Sequence, residues 1–199
     1  MFNEIQRDAF REIVNMGVGK AANLLNTIIG HHIHLNVPNL RIIKNENLDE
    51  NFYGTNVNLS AVNLAFNGFI NGACKLIFPT GSASKLVSLF TNEESDLEDF
   101  DAIRVGTLSE IGNIVLNSLI GTLCNQLKVN LSFTVPTYKE GFVKELFETS
   151  SPEDNSILIL AGTTFIIEEI NISGDFVLIV ELGSLQLFKD LIDKYVGEL

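Results

Sequence analysis

One pattern occurs twice along this chain, and that repetition limits the fold more than any other feature of the sequence. The pattern is a Glu, an Asn three positions later, and a Pro after 22 further residues. Its two copies lie 98 positions apart and consist of Glu12, Asn15 and Pro38, then Glu110, Asn113 and Pro136. A shift of 102 positions also aligns Gly72 with Gly174. We therefore predict one structural unit written twice, residues 1–97 and 98–199, within a single domain 1–199.

Each half begins with apolar residues at helical spacing, which predicts a long amphipathic helix. These helices cover residues 4–29 and 102–127. Strand-like runs and a short closing helix follow in each half. The predicted strands are 32–36, 57–66, 70–78, 129–135, 157–167 and 170–182, and the closing helices are 83–90 and 185–196. Between the halves, the acidic segment 92–101 is predicted to be a solvated linker.

Small residues mark helix ends and close contacts in this pattern. We expect Ser82 to cap the closing helix of the first half and Gly30 to end the first long helix. Gly17 and Gly19 lie inside that long helix, where glycine weakens helix formation. Their presence predicts close packing against a neighbouring helix.

Strands lie between the helices in each half, which favours an α+β fold. The last two strands of each half are predicted to form a hairpin, turning at 67–69 or 71–72 in the first half and near 168 or at 173–174 in the second. We expect all strands to merge into one central, largely antiparallel β-sheet. The duplicated unit predicts a pseudo-two-fold arrangement, with the two long helices on one face of the sheet.

Charge and hydropathy exclude several classes of function. The chain has 13 Lys and Arg against 25 Asp and Glu, a formal net charge of −12. An acidic chain without a basic cluster predicts no binding to nucleic acid or to an anionic membrane surface. No run approaches the ~20 apolar residues that span a bilayer, and residues 1–4 show no signal-like region, so we expect a cytoplasmic protein. His31, His32 and His34 lack further ligands at metal-site spacing, which predicts no metal site.

Polar residues form a stripe on each predicted long helix. In the first helix, Asp8, Glu12 and Asn15 stand at i, i+4 and i+7 and therefore share one face. In the second, Glu110 and Asn113 keep the spacing of the acid and the amide. Two interpretations fit this spacing equally well. One is a solvated polar stripe with a strand-ending proline nearby, and the other is a functional site present in two copies.

The complete pattern, Asp or Ser, x3, Glu, x2, Asn, x22, Pro, resembles the signature of the CheC, CheX and FliY family of chemotaxis phosphatases. The first copy, from Asp8 to Pro38, matches it in full. The second copy matches at Glu, Asn and Pro but has Gly106 at the first position. The resemblance covers essentially the whole chain, and two copies of the motif make it most similar to CheC.

This resemblance implies a protein-aspartyl-phosphate phosphatase that dephosphorylates a CheY-type response regulator in chemotaxis signalling. The phosphorylated receiver domain is then both substrate and partner. It brings its own divalent metal, Mg²⁺, so that the chain needs no cofactor. The resemblance also implies the CheD deamidase as a partner. A function of another class, a non-catalytic adaptor that binds a receiver or CheD, fits the same residues.

The resemblance assigns roles to the acid and the amide. Phosphoryl transfer to water needs a positioned nucleophile, and a carboxamide both accepts a hydrogen bond from water and donates one. Asn15 and Asn113 are therefore expected to orient the attacking water. Glu12 and Glu110 are expected to form an ion pair with the active-site Lys of the receiver.

The remaining motif residues are expected to support the site. Asp8 is placed to cap, to form a hydrogen bond or to assist docking, and Gly106 has no side chain for any of these tasks. The second site is therefore predicted to be the weaker one. Pro38 and Pro136 are expected to shape the strand ends that support the helices.

Overall fold

The computed structural model describes the chain in six ranges, 2–29, 33–44, 57–91, 100–147, 157–167 and 170–198. Within them the elements follow in the order α1 (Glu4–Ile29), β1 (Ile33–Lys44), β2 (Leu59–Gly68), β3 (Gly72–Pro79), α2 (Thr80–Thr91), α3 (Phe100–Leu127), β4 (Leu131–Phe133), β5 (Thr137–Gly141), α4 (Val143–Phe147), β6 (Ile157–Ile167), β7 (Ile170–Val180) and α5 (Leu182–Gly197). None of the helices in these ranges combines the length and the apolar character that crossing a membrane requires.

The described strands form one sheet in which all pairs are antiparallel. Its order is β1-β6-β7-β3-β2-β4, and β5 pairs with β2 beyond the end of β4. The centre is the β3–β7 pair. On either side of it, β1 pairs with β6, and β2 pairs with β4 and β5, so that each half extends the hairpin of the other half. This arrangement confirms the predicted α+β fold with a central antiparallel sheet.

The main hydrophobic core lies between one face of the sheet and the long helices. Side chains of α1, such as Phe10 and Ile13, are buried with side chains of α3 and with alternate residues of the strands, such as Leu64 and Leu76. Both long helices therefore cover the same face, as predicted. Short α4 packs on the opposite face, over a smaller cluster that includes Ile77.

The predicted long helices are confirmed, but the first strand is longer than predicted. α1 has the predicted bounds, and α3 starts two residues earlier, at Phe100. β1 continues to Lys44, whereas the predicted strand stopped at residue 36. Its pairing with β6 shifts register between Asn36 and Asn39, which indicates a bulge around Pro38. A bulge accommodates proline because the residue that lacks an N–H is left out of the ladder.

The prediction that Ser82 caps a helix is wrong, because α2 begins at Thr80, immediately after β3. In the second half, α5 likewise begins earlier than predicted, at Leu182 instead of residue 185. Ser184 is buried, and its hydroxyl oxygen accepts a hydrogen bond of 2.9 Å from the backbone N–H of Asn71. This serine therefore ties the helix to the β2–β3 turn.

The segment after α3 differs most from the prediction. In place of one strand over 129–135, the structure has the three-residue β4, and β5 and α4 were not predicted. The first hairpin turns at 69–71, and positions 173–174 lie inside β7 rather than in a turn. The predicted helix end at Gly30, the predicted turn near 168 and most of the predicted linker, 92–99, lie outside the described residues, whereas residues 100–101 of that linker belong to α3.

Candidate functional site

The predicted stripe of α1 lies on the solvent-facing side of the helix. Asp8, Glu12 and Asn15 are exposed, whereas Ile13 and Val14, which fall between the last two, are buried. Since the apolar side of the helix packs on the sheet, the stripe points outward. The acid and the amide are one turn apart and accessible to a docking partner.

The three side chains of this stripe have different surroundings. Asp8 forms an exposed ion pair with Arg11, with 2.8 Å between Nη2 and Oδ1. Burial raises the pKa of the Tyr195 hydroxyl in α5, and the negative charge of Glu12 adds to the rise, so the Glu12 carboxylate lies near this helix. Among the described residues, Asn15 has no hydrogen-bond partner for its side-chain amide.

The stripe of α3 repeats the acid and the amide with different neighbours. Glu110 is exposed, and Asn113 is half-buried. The side-chain N–H of Asn117 donates a hydrogen bond of 2.6 Å to Oδ1 of Asn113. Gly106 takes the place of Asp8, and the space above its Cα is open. This second stripe therefore has no equivalent of the Asp8–Arg11 ion pair.

Two glycines set the position of the long helices. A Cβ atom on Gly17 of α1 would lie 2.9 Å from the Cα of Leu119 in α3, which shows how closely these helices pack. A Cβ on Gly112 would lie 2.6 Å from the side chain of Val62 in β2. The predicted packing role is confirmed for Gly17 and wrong for Gly19, which has open space around it because it lies on the outward stripe, one turn beyond Asn15.

The start of α1 is held by a reciprocal cap. The N–H of Gln6 donates to Oδ1 of Asn3 at 2.8 Å, and the N–H of Asn3 donates to Oε1 of Gln6 at 3.0 Å. The Gln6 amide then donates to Asp193 of α5 at 2.9 Å. This is the capping-box arrangement, and its signal, Asn followed three residues later by Gln, stands in the sequence.

A partly buried polar cluster fixes the start of α3 to the sheet. The Arg104 guanidinium contacts Glu140 of β5 at 2.9 Å and Asp101 at 3.1 Å. The Tyr138 hydroxyl donates to Glu140, and Ser60 of β2 also donates to that carboxylate. Burial, followed by the hydrogen bond to Glu140, raises the pKa of Tyr138 to about 12. Sequence analysis missed this cluster because its members lie on three separate elements, one of them unpredicted.

The two motif prolines occupy different positions. Pro38 lies inside β1, at the bulge, so its predicted place at a strand end is wrong. Pro136 is half-buried in the short link between β4, which ends at Phe133, and β5, which begins at Thr137. Both of these short strands pair with β2, so Pro136 lies where the chain leaves one edge strand and enters the next.

Each stripe thus offers a partner the carboxylate of its Glu and the carboxamide of its Asn on a long helix, and the first stripe adds the carboxylate of Asp8. The carboxylate accepts hydrogen bonds and attracts a cation, and the carboxamide donates and accepts. In the described part of the chain, no group of three His, Cys, Asp or Glu side chains is arranged to hold a metal ion.

Comparison with known proteins gives related sequences and structures, although no family model matches the chain. The chain is 29% identical over 136 residues to the CheY-P phosphatase CheC of Bacillus subtilis (strain 168). That alignment covers 67% of this chain and 65% of CheC, slightly less than two thirds of the relative's length.

The crystal structure of Thermotoga maritima FliY has a TM-score of 0.75 at 19% identity, covering 98% of this chain and 99% of that one. CheX in the CheX–CheY–BeF3–Mg²⁺ complex of Borrelia burgdorferi has a TM-score of 0.52 at 16% identity, covering 86% and 99%. The chain is thus similar in sequence to CheC and similar in fold to FliY and CheX. In both copies of the motif, the Glu and the Asn lie on a long helix of this fold, and the Pro lies outside it.

The fold of the CheC, CheX and FliY family also occurs in the FliM middle domain of H. pylori. That structure has a TM-score of 0.68 at 14% identity, covering 96% of this chain and 99% of that one. One fold can support several functions, so the function of this chain depends on the groups that its surface stripes present.

Proposed function

We propose that this protein hydrolyses the aspartyl phosphate of a CheY-type response regulator. One observation carries the proposal: an acid and an amide stand one turn apart on the outward side of both long helices. The presence of an Asn in both copies favours a catalytic function over a purely binding function, since an adaptor needs no group that orients water. The related CheC is a CheY-P phosphatase, and in the CheX complex the bound partner is CheY with BeF3 and Mg²⁺.

In the proposed reaction, the amide orients a water in line with the phosphorus atom. The water oxygen forms the new P–O bond, and the bond from phosphorus to the aspartate oxygen breaks. Aspartate leaves as a carboxylate, inorganic phosphate is released, and the protons of water pass to phosphate and solvent. Asn15 and Asn113 are the proposed amides, and positioning is the main contribution a protein can make to such a transfer.

The carboxylates are proposed to hold the receiver. Glu12 and Glu110 would pair with the receiver's active-site Lys, one helical turn from the amide, so that docking places the amide at the phosphate. The receiver carries the Mg²⁺ that neutralises the phosphate oxygens. Asp8 and Arg11 would add contacts at the first site that Gly106 and Ser109 do not offer at the second. We place this reaction in the cytoplasm, with the receiver.

An adaptor function is the second candidate, because the FliM middle domain of H. pylori has the same fold, and one fold can support several functions. In that case the outward stripes would bind a receiver or CheD without hydrolysis. The two functions predict opposite effects on a phosphorylated receiver: the phosphatase shortens the lifetime of the aspartyl phosphate, whereas an adaptor leaves it unchanged or protects it.

The test is phosphate release from a CheY-type receiver that has been phosphorylated with acetyl phosphate and freed of excess reagent. We expect the protein to accelerate release and the double variant Asn15→Ala/Asn113→Ala to lose at least about 10²-fold, the cost of misplacing a reacting group by about 1 Å. Of the single variants, Asn15→Ala should lose more than Asn113→Ala.

The matched control is Asn23→Ala/Asn125→Ala, which removes one exposed Asn from each long helix, at least two turns beyond the proposed amides. It should keep the full rate. Circular dichroism would confirm that all variants fold. Unchanged or slower release with the unmodified protein would reject the phosphatase in favour of the adaptor, and equal losses in the single variants would contradict the ranking of the sites.

A further inference from the structure

The two stripes differ at one more position, one helical turn beyond the amide. Read in order, they consist of Asp8, Glu12, Asn15 and Gly19 on α1, and of Gly106, Glu110, Asn113 and Asn117 on α3. The acid and amide are the same in both, while the outer positions differ. Neither Gly19 nor Asn117 belongs to the motif described above.

This difference changes the surroundings of the amide directly. At the first site Gly19 has no side chain, and apart from the adjoining backbone of its own helix nothing lies within 4 Å of the place where its Cβ would stand. At the second site, Asn117 reaches back and donates a hydrogen bond of 2.6 Å to Oδ1 of Asn113. Residues four apart on a helix are neighbours, so this contact is built into the local geometry.

The bonded atom is the one that the proposed reaction needs. Oδ1 of the amide accepts a hydrogen bond from the attacking water, while the amide N–H groups donate. An oxygen held by Asn117 has one lone pair already used, and the plane of the Asn113 amide is set by its neighbour instead of by the phosphate. To turn toward the water, Asn113 must give up this bond.

We propose that the residue one turn beyond the amide sets the relative activity of the two sites. Asn117 is a positioning residue that restrains Asn113 and slows the second site, and Gly19 leaves Asn15 unrestrained at the first. This inference rests on the proposed phosphatase function. It assigns the slower turnover to a specific hydrogen bond, independent of the loss of the Asp8 side chain.

Single-site proteins separate the two effects. In an Asn15→Ala background, only the second site can act, and Asn117→Ala should raise kcat by about two- to tenfold, the equivalent of one neutral hydrogen bond. Asn117→Leu, which keeps the side-chain volume but has no donor, should raise kcat equally. KM should stay the same in both, because docking is not altered. Asn125→Ala, on the same helix away from Asn113, is the control and should change neither.

The reciprocal experiment uses an Asn113→Ala background, in which only the first site acts. Gly19→Asn introduces the donor and should lower kcat by a similar factor. Gly19→Ala adds only a methyl group in open space and should leave kcat unchanged. Together the two pairs distinguish the side-chain amide from a general effect of substitution at these positions.

Three results would overturn the inference. If the Asn15→Ala protein is active and the Asn117 variants do not raise kcat, the phosphatase function stands and the role of Asn117 is wrong. If Asn117→Ala acts and Asn117→Leu does not, or if only KM moves, bulk at the docking surface is the cause and the hydrogen bond is not. If the unmodified protein releases no phosphate, the proposed function fails, and this inference fails with it.

Discussion

Lys75 is the side chain whose charge is most affected by folding among the described cations. It lies in β3 on the face opposite the long helices, and its ammonium stands 5.5 Å from the centre of the Phe147 ring in α4. Burial, with a smaller contribution from the charge of Lys139, lowers its pKa from 10.5 to about 8. The protonated form therefore opposes folding, although the aromatic ring offsets part of the cost.

This pKa predicts a stability that rises with pH. Below about pH 8 both the folded and the unfolded chain hold the proton, and the cost is fully present. Between about 8 and 10.5 the folded protein has released a proton that the unfolded chain still holds, so the free energy of unfolding increases with pH. Urea unfolding of the wild type and of Lys75→Met at pH 7.5 and 9.5 would measure this, the wild type gaining relative to the variant.

The comparison with Lys75→Met removes the opposing contributions of other groups. Burial raises the pKa of Cys74 and Tyr138, and such acids lower stability at alkaline pH, but they titrate in both proteins. A stability difference that stays constant between the two pH values would show that Lys75 does not titrate in this range.

At the level of single residues, the sequence was informative where spacing alone sets the geometry. Glu12 and Asn15 share an outward face because they are three positions apart on a helix whose other side is apolar, and the same holds for Glu110 and Asn113. The restraint of Asn113 by Asn117 was not predicted. Two Asn residues four positions apart on a helix can form a side-chain hydrogen bond or point away from each other, and spacing does not distinguish the two. The effect of burial on Lys75 depends on α4, an element the sequence did not reveal.

The contact between α3 and β2 fixes the orientation of the second stripe. Gly112 lies next to Asn113 in sequence but on the buried side, against Val62. A side chain at position 112 would push α3 away from the sheet, and the acid and amide on its outer side would move with it. The position of α3 on the sheet is thus fixed by the close contact at Gly112 and by the polar cluster of Arg104 at the start of the helix.

We expect Gly112→Ala to destabilise the protein by about 1–3 kcal/mol, because its Cβ would overlap the branched carbon of Val62 in a packed core. The measurement is thermal or urea unfolding. Gly121→Ala is the control on the same helix, where the added methyl group has open space, and it should stabilise by about 0.4–1 kcal/mol. Equal effects of the two substitutions would contradict the packing argument.

Among the elements, prediction succeeded where apolar periodicity is strong and failed at the edge of the sheet. α1 and α3 have long apolar faces, and the β6–β7 hairpin has long apolar runs. β5 reads Thr-Tyr-Lys-Glu-Gly, with no aliphatic residue, because Glu140 binds Arg104 and Tyr138 binds Glu140. A polar strand of this kind forms because of its contacts with β2 and α3, and apolar periodicity in the sequence does not reveal such contacts.

On the scale of the whole molecule, the two halves complete one another's sheet. β1 of the first half pairs with β6 of the second, and β2 pairs with β4 and β5. Each half taken alone retains only its own hairpin, and a two-stranded hairpin is marginally stable in water. The sequence is therefore duplicated, but the two copies do not form two separate sheets, because strands of each half pair with strands of the other.

A fragment of residues 1–97 is accordingly predicted to be unfolded as a monomer, and so is 98–199. Mixed together, the two should recover the circular dichroism of the intact chain, which itself should unfold in one transition. A monomeric fragment with a cooperative melting transition would contradict this. The proposed boundary at 97 and 98 stays a prediction, since it falls outside the described residues.

The exchange of strands also bears on how the two copies can diverge. A substitution in a shared strand alters the support of both stripes at once, so the framework must change in concert. Outward positions on α1 and α3 carry no such constraint, and there the two copies already differ. When the copies are aligned, Asp8 corresponds to Gly106 and Gly19 corresponds to Asn117. A molecule built in this way can specialise one surface for a new task while the other continues in its original role.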